Sequence, residues 1–253
     1  MVIGLLHPGE MGSAVGDALR GAGLQVLWAS DGRSAETSAR AAVFEDAGTA
    51  TELAERSDVI LSICPPHAAL DVARSVVGFE GIYVDANAVS PATAREIGAA
   101  VGRFVDGGIV GPPPRESGDT RLYLAGREGE TIAGLFEGTA VDARVLPGPP
   151  GAASALKMAY AAWTKGTAAM LLAIRELARA EDVEPALLEE WRLSQPELIE
   201  RSAAAARSAE RKGWRWVGEM EEIASTFAGA GLPDGFHLAA AEVFRTRGLE
   251  EAL

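Results

Sequence analysis

The residues with the clearest chemical potential lie in one short segment near the N-terminus, VIGLLHPGEMGSAVGDAL. Its apolar first half predicts a strand, and its second half has the spacing of a helix. Gly9 and Gly12 keep the spacing of the second and third glycines of G-x-G-x-x-G, the turn that binds a dinucleotide pyrophosphate between a strand and a helix. The free N–H groups at the start of the helix would hold the phosphates.

Two residues of this turn depart from the motif. His7 stands where the first glycine is usual, and Pro8 follows it. The first glycine mainly shapes the turn, so a residue other than glycine is plausible there if its φ is negative. We expect His7 to act as a turn residue rather than a catalyst. Pro8 lacks an N–H and would stiffen the turn. An ordinary strand–turn–helix without a ligand is the alternative. The predicted phosphate-binding residues are Pro8, Gly9, Glu10, Met11 and Gly12.

A second group of residues bears on which dinucleotide would bind. An acidic residue at the end of the second strand accepts the ribose 2′-hydroxyl of NAD, whereas an arginine nearby accommodates the 2′-phosphate of NADP. Here the apolar run LQVLWA leads into SDGRS, where Arg33 can hold a phosphate with two N–H groups. Asp31 either faces solvent or favours NAD. We predict a preference for NADP, bound by Ser30, Gly32, Arg33 and Ser34.

The elements that must position these residues follow from the alternation of short apolar runs with helical patterns over the first 150 residues. This alternation predicts an α/β fold, a Rossmann-type doubly wound, mostly parallel sheet with helices on both faces. Ser90 and Pro91 predict a helix start, and Gly21 and Gly23 a helix end. We therefore assign residues 1–150 to a nucleotide-binding domain.

The pattern changes after the segment LPGPPG, whose prolines and glycines break regular structure. No strand patterns follow, and residues 151–253 are predicted to form an all-helical domain for substrate binding and dimerisation. Its first helix is expected to span about 27 residues, roughly 40 Å. The segments 196–212 and 215–231 are predicted as two separate helices.

Composition restricts the compartment and the partners. The 253 residues carry a formal net charge of −13, which disfavours nucleic acid and anionic membranes. A lone cysteine, Cys64, fits a reducing cytoplasm, and neither a membrane span nor a signal peptide is expected. His67 and His237 have no metal ligands at useful spacing, so no metal site is predicted. We expect a soluble cytoplasmic protein.

Four segments in family order resemble the superfamily of 6-phosphogluconate and 3-hydroxyisobutyrate dehydrogenases, the beta-hydroxyacid dehydrogenases. They are IGLLHPGEMG, VDANAVSPATAREI, VDGGIVGPP and GPPGAASALKMAYAAWTKG, and they cover the chain to about residue 166. The remainder resembles a poorly characterised branch, in which a short helical C-terminal domain of unknown function follows an NADP-binding domain.

The resemblance implies hydride transfer between nicotinamide C4 and a carbinol or carbonyl carbon of a small molecule. Lys157 takes the place of the catalytic lysine, and partial burial would favour its neutral form for acid–base work. Surface exposure of Lys157 without such a role is the alternative. Cys64, Pro65 and Pro66 resemble the loop that lines the cofactor. Asn87 is predicted either to contact cofactor or substrate or to cap a strand.

This chain departs from the family at two positions. Ala161 replaces the asparagine four residues after the lysine, and Val110 replaces the serine of the substrate loop, where Gly111 follows. Two polar contacts to a small hydroxy acid are therefore missing. Each of three residues on the long helix either supplies a replacement contact or is structural. These are Tyr160, Thr164 and Lys165.

Two alternatives to a hydroxyacid dehydrogenase stay open. One is an imine reductase, the nearest rival among enzymes. The other is a non-catalytic redox sensor that binds NADP, because the contacts expected at Ala161 and Val110 are lost. A homodimer is expected through the helical domain, since Trp214 and Trp216 need cover.

Overall fold

The computed structural model describes residues 1–116 and 118–250, with side chains described through residue 246. Alternating apolar runs of the first 150 residues form one sheet. The sheet has eight strands, β1 Val2–Leu6, β2 Gln25–Trp28, β3 Glu45–Asp46, β4 Val59–Ser62, β5 Ile82–Asp85, β6 Arg103–Val110, β7 Thr120–Ala125 and β8 Val141–Val145.

The strand order is β3-β2-β1-β4-β5-β6-β7-β8. The six strands β1 to β6 are parallel, β7 runs antiparallel to β6, and β8 runs parallel to β7. This arrangement confirms the predicted doubly wound, mostly parallel sheet. The order reverses between β1 and β4, and ligands of open α/β sheets bind outside the carboxyl ends of the strands at such a point.

Helices cover both faces of the sheet because side chains along each strand alternate between two apolar clusters. On β4, Val59 and Leu61 belong to one cluster and Ile60 to the other. A short 3-10 turn, Pro66–Ala68, leads into α4. The helices of this part are α1 Glu10–Gly21, α2 Ala35–Ala41, α3 Ala50–Arg56, α4 Ala69–Arg74, α5 Pro91–Ala100 and α6 Gly129–Gly134.

The predicted helix ends are confirmed. The Ser90 hydroxyl accepts the N–H of Thr93, and Pro91 is the first residue of α5. Helix α1 ends at Gly21, and Gly23 follows with φ +87°. These local signals need no tertiary partner, since a cap satisfies backbone groups within a few residues of itself.

The contacts divide the chain into two units, residues Met1–Lys157 and the part from Met158 onward. The sequence pattern predicts the boundary at residue 150, in the loop before the long helix. Helix α7 begins in the first unit and continues in the second. The helices after the sheet are α7 Ala152–Ala180, α8 Glu184–Ser194, α9 Glu197–Gly229 and α10 Gly235–Glu250.

The prediction of two separate helices over 196–231 is wrong, because α9 is continuous across Lys212 and Gly213. A single glycine in a helix costs only about 1 kcal/mol. Burial of Met220 and Ile223 in α9 and of Phe244 in α10 outweighs that cost. Within the described residues, no helix has both the length and the apolar character needed to cross a bilayer.

Candidate active site

Four predicted segments meet at one edge of the sheet because they follow parallel strands. The turn at Gly9 follows β1, and Arg33 lies in the loop after β2. Cys64 follows β4, and Asn87 follows β5. Since β1 lies between β2 and β4, these loops surround the point where the strand order reverses. Residues far apart in sequence thus share one candidate site.

The turn after β1 forms with a histidine in it, but not as expected. His7 has φ +63°, so the turn does not meet the condition of a negative φ on which a non-glycine residue there was expected to depend. This left-handed conformation is the one that glycine adopts most easily. The N–H of Gly9 donates to the carbonyl oxygen of His7 at 2.7 Å, which closes a tight turn. The turn geometry therefore survives, at the expense of local strain in His7.

Glycine at position 12 and glycine at position 9 of the turn differ in their structural surroundings. A Cβ at Gly12 would lie 2.9 Å from the carbonyl oxygen of His7, so glycine permits the close approach of α1 to the turn. Gly9 has φ −68°, and apart from residues adjacent to it in the chain no described atom lies within 4 Å of the position its Cβ would take. Neither backbone conformation nor packing requires glycine at that position. The open space lies at the start of α1, where a phosphate could approach the backbone.

Gly9 is also the N-cap of α1, and no side chain caps the helix there. The first N–H groups of a helix have no intrahelical acceptor. They therefore offer an anion-binding position together with the positive end of the helix dipole. Glu10 is exposed in this first turn, and Met11 is partly buried beside the apolar core.

Arg33 reaches back from the loop after β2 to the turn after β1. Its Nη1 contacts Nδ1 of His7 and lies 3.2 Å from Nε2, while its Nε donates to the carbonyl oxygen of Asp31 at 3.2 Å. Burial, and then the charge of Arg33, lower the pKa of His7 to about 4. The imidazole is therefore neutral near pH 7 and accepts a hydrogen bond from the guanidinium. Asp31 is exposed to solvent.

The two predicted serine donors have partners within the protein. Ser34 caps α2 by accepting the N–H of Thr37 at 3.2 Å. The Asp46 carboxylate has a lowered pKa because it accepts hydrogen bonds from the Gly48 N–H and from the Ser30 side chain. Arg33 thus carries the positive charge of this loop. Gly32 has φ +68°, a conformation that suits glycine.

Asn87 is buried and joins the loops after β4 and β5. Its Oδ1 accepts the N–H of Cys64, and its Nδ2 donates to Ser62 Oγ at 3.1 Å and to Asp85 Oδ1. These contacts use both N–H groups of the amide, which favours the strand-capping interpretation of Asn87. Through its hydrogen bond to Cys64, Asn87 holds the segment Cys64-Pro65-Pro66 at the edge of the sheet.

The environment of Cys64 favours the protonated thiol over the nucleophilic thiolate. Burial, followed by the charge of Asp85, raises the pKa of Cys64 to about 12. The sulfur atom lies 3.9 Å from Ser62 Oγ. A protonated thiol is a poor nucleophile and a poor metal ligand. Among the described residues, no cluster of three or more potential metal ligands occurs.

A buried carboxylate that the sequence analysis missed fixes the start of α7. Asp106 is fully buried in β6 and accepts the N–H groups of Gly151, Ala153 and Ser154 at 2.7, 2.9 and 3.1 Å. It also accepts the Ser154 hydroxyl at 2.6 Å. The available signal was an aspartate inside the apolar run RFVDGGIV, since a buried charge requires partners.

Lys157 lies one turn further along α7, against Gly108 of β6. A Cβ at Gly108 would lie 2.8 Å from the Ala153 carbonyl oxygen and 3.0 Å from the Lys157 Cβ. Glycine at this position therefore allows α7 to run close to the strand. Lys157 is partly buried. Gly111, with φ +120°, follows β6 directly, so the predicted substrate loop begins at the same sheet edge.

The candidate residues of the second unit differ in their surroundings. Lys165 of α7 forms an ion pair with Glu219 of α9, and only 13% and 15% of these side chains are exposed. Tyr160 is exposed, whereas Ala161 is buried. The Thr164 hydroxyl donates to the carbonyl oxygens of Tyr160 and Ala161, both at 3.4 Å. The ammonium group of Lys165 is thus already paired with a carboxylate of the protein.

Comparisons with known proteins agree with this arrangement. Residues 178–246 match the family described as a domain of unknown function, DUF1932. Over 141 residues the chain is 33% identical to an uncharacterized 28.5 kDa protein of Methanothermus fervidus, an alignment that covers 54% of this chain and 55% of that protein. The chain thus aligns with about half the length of this curated relative.

Solved structures extend the likeness to nearly the whole chain. The conserved protein MTH1747, of unknown function and structurally similar to 3-hydroxyacid dehydrogenases, is 27% identical with a TM-score of 0.72, covering 97% of this chain and 96% of its own. A 3-hydroxyisobutyrate dehydrogenase of Mycobacterium tuberculosis has 15% identity and a TM-score of 0.73, covering 98% and 94%. A reductive aminase of Aspergillus terreus, solved with NADPH, has 16% identity and a TM-score of 0.60, covering 98% and 93%.

This chain has the fold of the 3-hydroxyacid dehydrogenases and related NADP reductases. The resemblance to the beta-hydroxyacid dehydrogenase superfamily, drawn from four sequence segments, is confirmed. The DUF1932 match lies in the helical part, as expected for the branch with a C-terminal domain of unknown function.

Replacing Asp106 by asparagine should destabilise the first unit. The amide can keep its oxygen on the three backbone N–H groups, but it loses the charge that strengthens these hydrogen bonds and places its NH2 against the Ser154 hydroxyl, so we expect the free energy of unfolding to fall by about 2 kcal/mol. Denaturant unfolding of Asp106→Asn measures this change. Asp71→Asn, on the exposed surface of α4, is the matched control. Equal midpoints for Asp106→Asn and the native chain would contradict the anchoring role.

The Cys64 thiol should resist alkylation in the folded protein. With its pKa at about 12, almost none of it is thiolate at pH 8, whereas an unfolded cysteine is partly ionised. We expect iodoacetamide to react roughly a hundredfold more slowly with the native chain than with the chain in guanidinium chloride. Mass spectrometry of timed samples gives both rates. Comparable rates would show that Cys64 is a reactive group.

Proposed function

We propose that this protein is an NADP-dependent oxidoreductase that transfers a hydride between nicotinamide and a small hydroxy acid or related carbonyl compound. One observation carries the proposal. A single α/β unit combines an uncapped helix start beside the open space at Gly9 with a partly buried lysine, Lys157, packed against Gly108 of β6. The fold shared with hydroxyacid dehydrogenases supports the same reaction class.

The residues present fit a dinucleotide with a 2′-phosphate. The first N–H groups of α1 would hold the pyrophosphate, and the missing side chain of Gly9 leaves room for it. Arg33 would hold the 2′-phosphate, because a guanidinium matches phosphate with two parallel hydrogen bonds. The exposed position of Asp31 and the NADPH of the reductive aminase are consistent with NADP rather than NAD.

Lys157 would hold and move the proton of the reaction. A bound nicotinamide would supply or accept the hydride. In the reductive direction the Lys157 ammonium donates a proton to the substrate oxygen, and in the oxidative direction the amine removes it. Asp106 fixes the first turn of α7 and therefore the position of Lys157. Gly108 keeps the helix close to the strand.

The apolar character of two positions favours a second candidate, reduction of a ketone or imine without a carboxylate. Val110 and Ala161 are both buried, at 3% and 1% exposure, so neither position offers a polar contact. These are the positions of the serine and asparagine that the resemblance places on a hydroxy acid. A panel of hydroxy acids, ketones and imines, followed by nicotinamide absorbance, distinguishes the candidates. NADP binding without turnover across a broad panel would favour a redox sensor.

A homodimer through the helical unit is part of this proposal. Five exposed apolar side chains follow one face of α7, and large exposed apolar patches usually mark an interface. They are Tyr160, Trp163, Met170, Ile174 and Leu177. Trp214 is also exposed, whereas Trp216 already packs edge-on against Phe244 at 5.0 Å between ring centroids. The exposed apolar face of α7 is therefore a better candidate for the dimer interface than Trp216.

NADP should bind more tightly than NAD, and Arg33 should account for the difference. Arg33→Ala is expected to weaken NADP binding by about 2 kcal/mol, the cost of losing a charge-assisted contact, with little effect on NAD. Calorimetric titration of both cofactors measures these affinities. Arg40→Ala, a partly exposed arginine of α2 paired with Glu36, serves as the control. Tighter binding of NAD by the native chain would overturn the assignment of NADP.

Lys157→Met should lower turnover without weakening NADP. A general acid–base group typically contributes about 10²–10⁴ in rate, so we expect kcat to fall by that order once a substrate is known. Lys157→Arg keeps the charge but gives up a proton poorly, so it should be similarly slow. Lys212→Met, in the exposed part of α9, is the control. Full turnover of Lys157→Met would assign proton transfer to another group.

The homodimer predicts twice the chain mass in light scattering at micromolar concentration. Trp163→Glu places a charge in the apolar face of α7 and should yield monomers, because burying an unpaired carboxylate is costly. Trp214→Glu, on α9, tests whether any exposed tryptophan has the same effect. A monomeric native chain would exclude this interface.

A further inference from the structure

His7 keeps an unfavourable backbone conformation at a position where glycine would be free of strain. Its φ of +63° lies in the left-handed region, which only Asp182 shares among the non-glycine residues that the structure describes. A residue held in such a conformation points to a role for its side chain. Turn shape alone does not explain a histidine, since glycine would form the same turn more easily.

The side chain of His7 contacts the guanidinium of Arg33. Nη1 of Arg33 hydrogen bonds to Nδ1 of His7 and lies 3.2 Å from Nε2. The two residues are 26 positions apart and belong to the loops after β1 and β2. A neutral imidazole accepts from an arginine, and burial keeps this ring neutral by lowering the pKa of His7 to about 4.

The contacts of Arg33 within the protein use only some of the N–H groups of its guanidinium. Nε donates to the carbonyl oxygen of Asp31 at 3.2 Å, and one N–H of Nη1 points to His7. A guanidinium has five N–H donors, so one N–H on Nη1 and both on Nη2 are left for a phosphate. Two fixed contacts on one side restrict the rotation of a long side chain that otherwise has many rotamers.

We propose that His7 is a positioning residue that determines cofactor specificity, because its ring holds the Arg33 guanidinium in place for the 2′-phosphate of NADP. This inference rests on the proposed function, in which Arg33 binds that phosphate. A guanidinium oriented before binding loses less side-chain entropy when the ligand arrives. The benefit applies to NADP and not to NAD, since NAD has no 2′-phosphate for Arg33 to hold.

The test is a double-mutant cycle on cofactor affinity. NADP and NAD are titrated calorimetrically into the native chain, His7→Gly, Arg33→Ala and the double variant. Glycine suits a φ of +63°, so His7→Gly should fold at least as stably as the native chain, and thermal unfolding checks this. Asp182→Gly is the matched control, because it relieves the same kind of backbone strain, at φ +57°, within the helical part.

We expect His7→Gly to weaken NADP about tenfold, equivalent to about 1.4 kcal/mol, and to change NAD less than twofold. In the Arg33→Ala background, His7→Gly should have no further effect on NADP, because the group that it positions is gone. Asp182→Gly should change neither affinity.

Three results would overturn the inference, and they separate it from the proposed function. An NADP-to-NAD affinity ratio of His7→Gly within twofold of the native ratio would make His7 a turn residue only, with the NADP assignment intact. A full tenfold loss on adding His7→Gly to Arg33→Ala would show that His7 acts independently of Arg33. A native chain that binds NAD at least as tightly as NADP would overturn the cofactor assignment and this inference together.

Discussion

The start of α7, and with it the position of Lys157, depends on the buried carboxylate of Asp106. It accepts four hydrogen bonds from residues 151–154, and so satisfies a charge inside the sheet domain and the open N–H groups of a helix at once. A buried anion is tolerated only with such partners. Because α7 begins at this anchor, Lys157 comes to lie against Gly108 of β6.

The meeting of the loops at the sheet edge depends on a different constraint, the parallel order of the strands. Carboxyl ends of parallel strands share one edge, so the loops after β1, β2, β4 and β5 meet there without any direct link in sequence. Side-chain contacts then join neighbouring loops. Arg33 connects the first two through His7, and Asn87 connects the last two through Cys64. The site is therefore held by polar contacts between loops as well as by the sheet.

Much of the fold was predictable because it rests on local rules. Strand–helix alternation, the cap at Ser90 and the glycine spacing at Gly9 each depend on neighbours within a few residues. The errors arise where a local rule competes with packing. Gly213 weakens a helix only slightly, so packing along α9 carries the helix through it. The strand Glu45–Asp46 has two residues, too few to produce an alternating pattern.

By itself the sequence determined the class of fold and the place of the glycine turn after the first strand, and it singled out Lys157 through the family resemblance. Only the tertiary structure decided the conformation of His7, its contact with Arg33, the engagement of Asn87 and the anchor at Asp106. These contacts join residues 23 to 48 positions apart. Periodicity and capping report on groups within a turn or two along the chain, whereas such pairs form only after the strands have assembled and brought their ends to one edge.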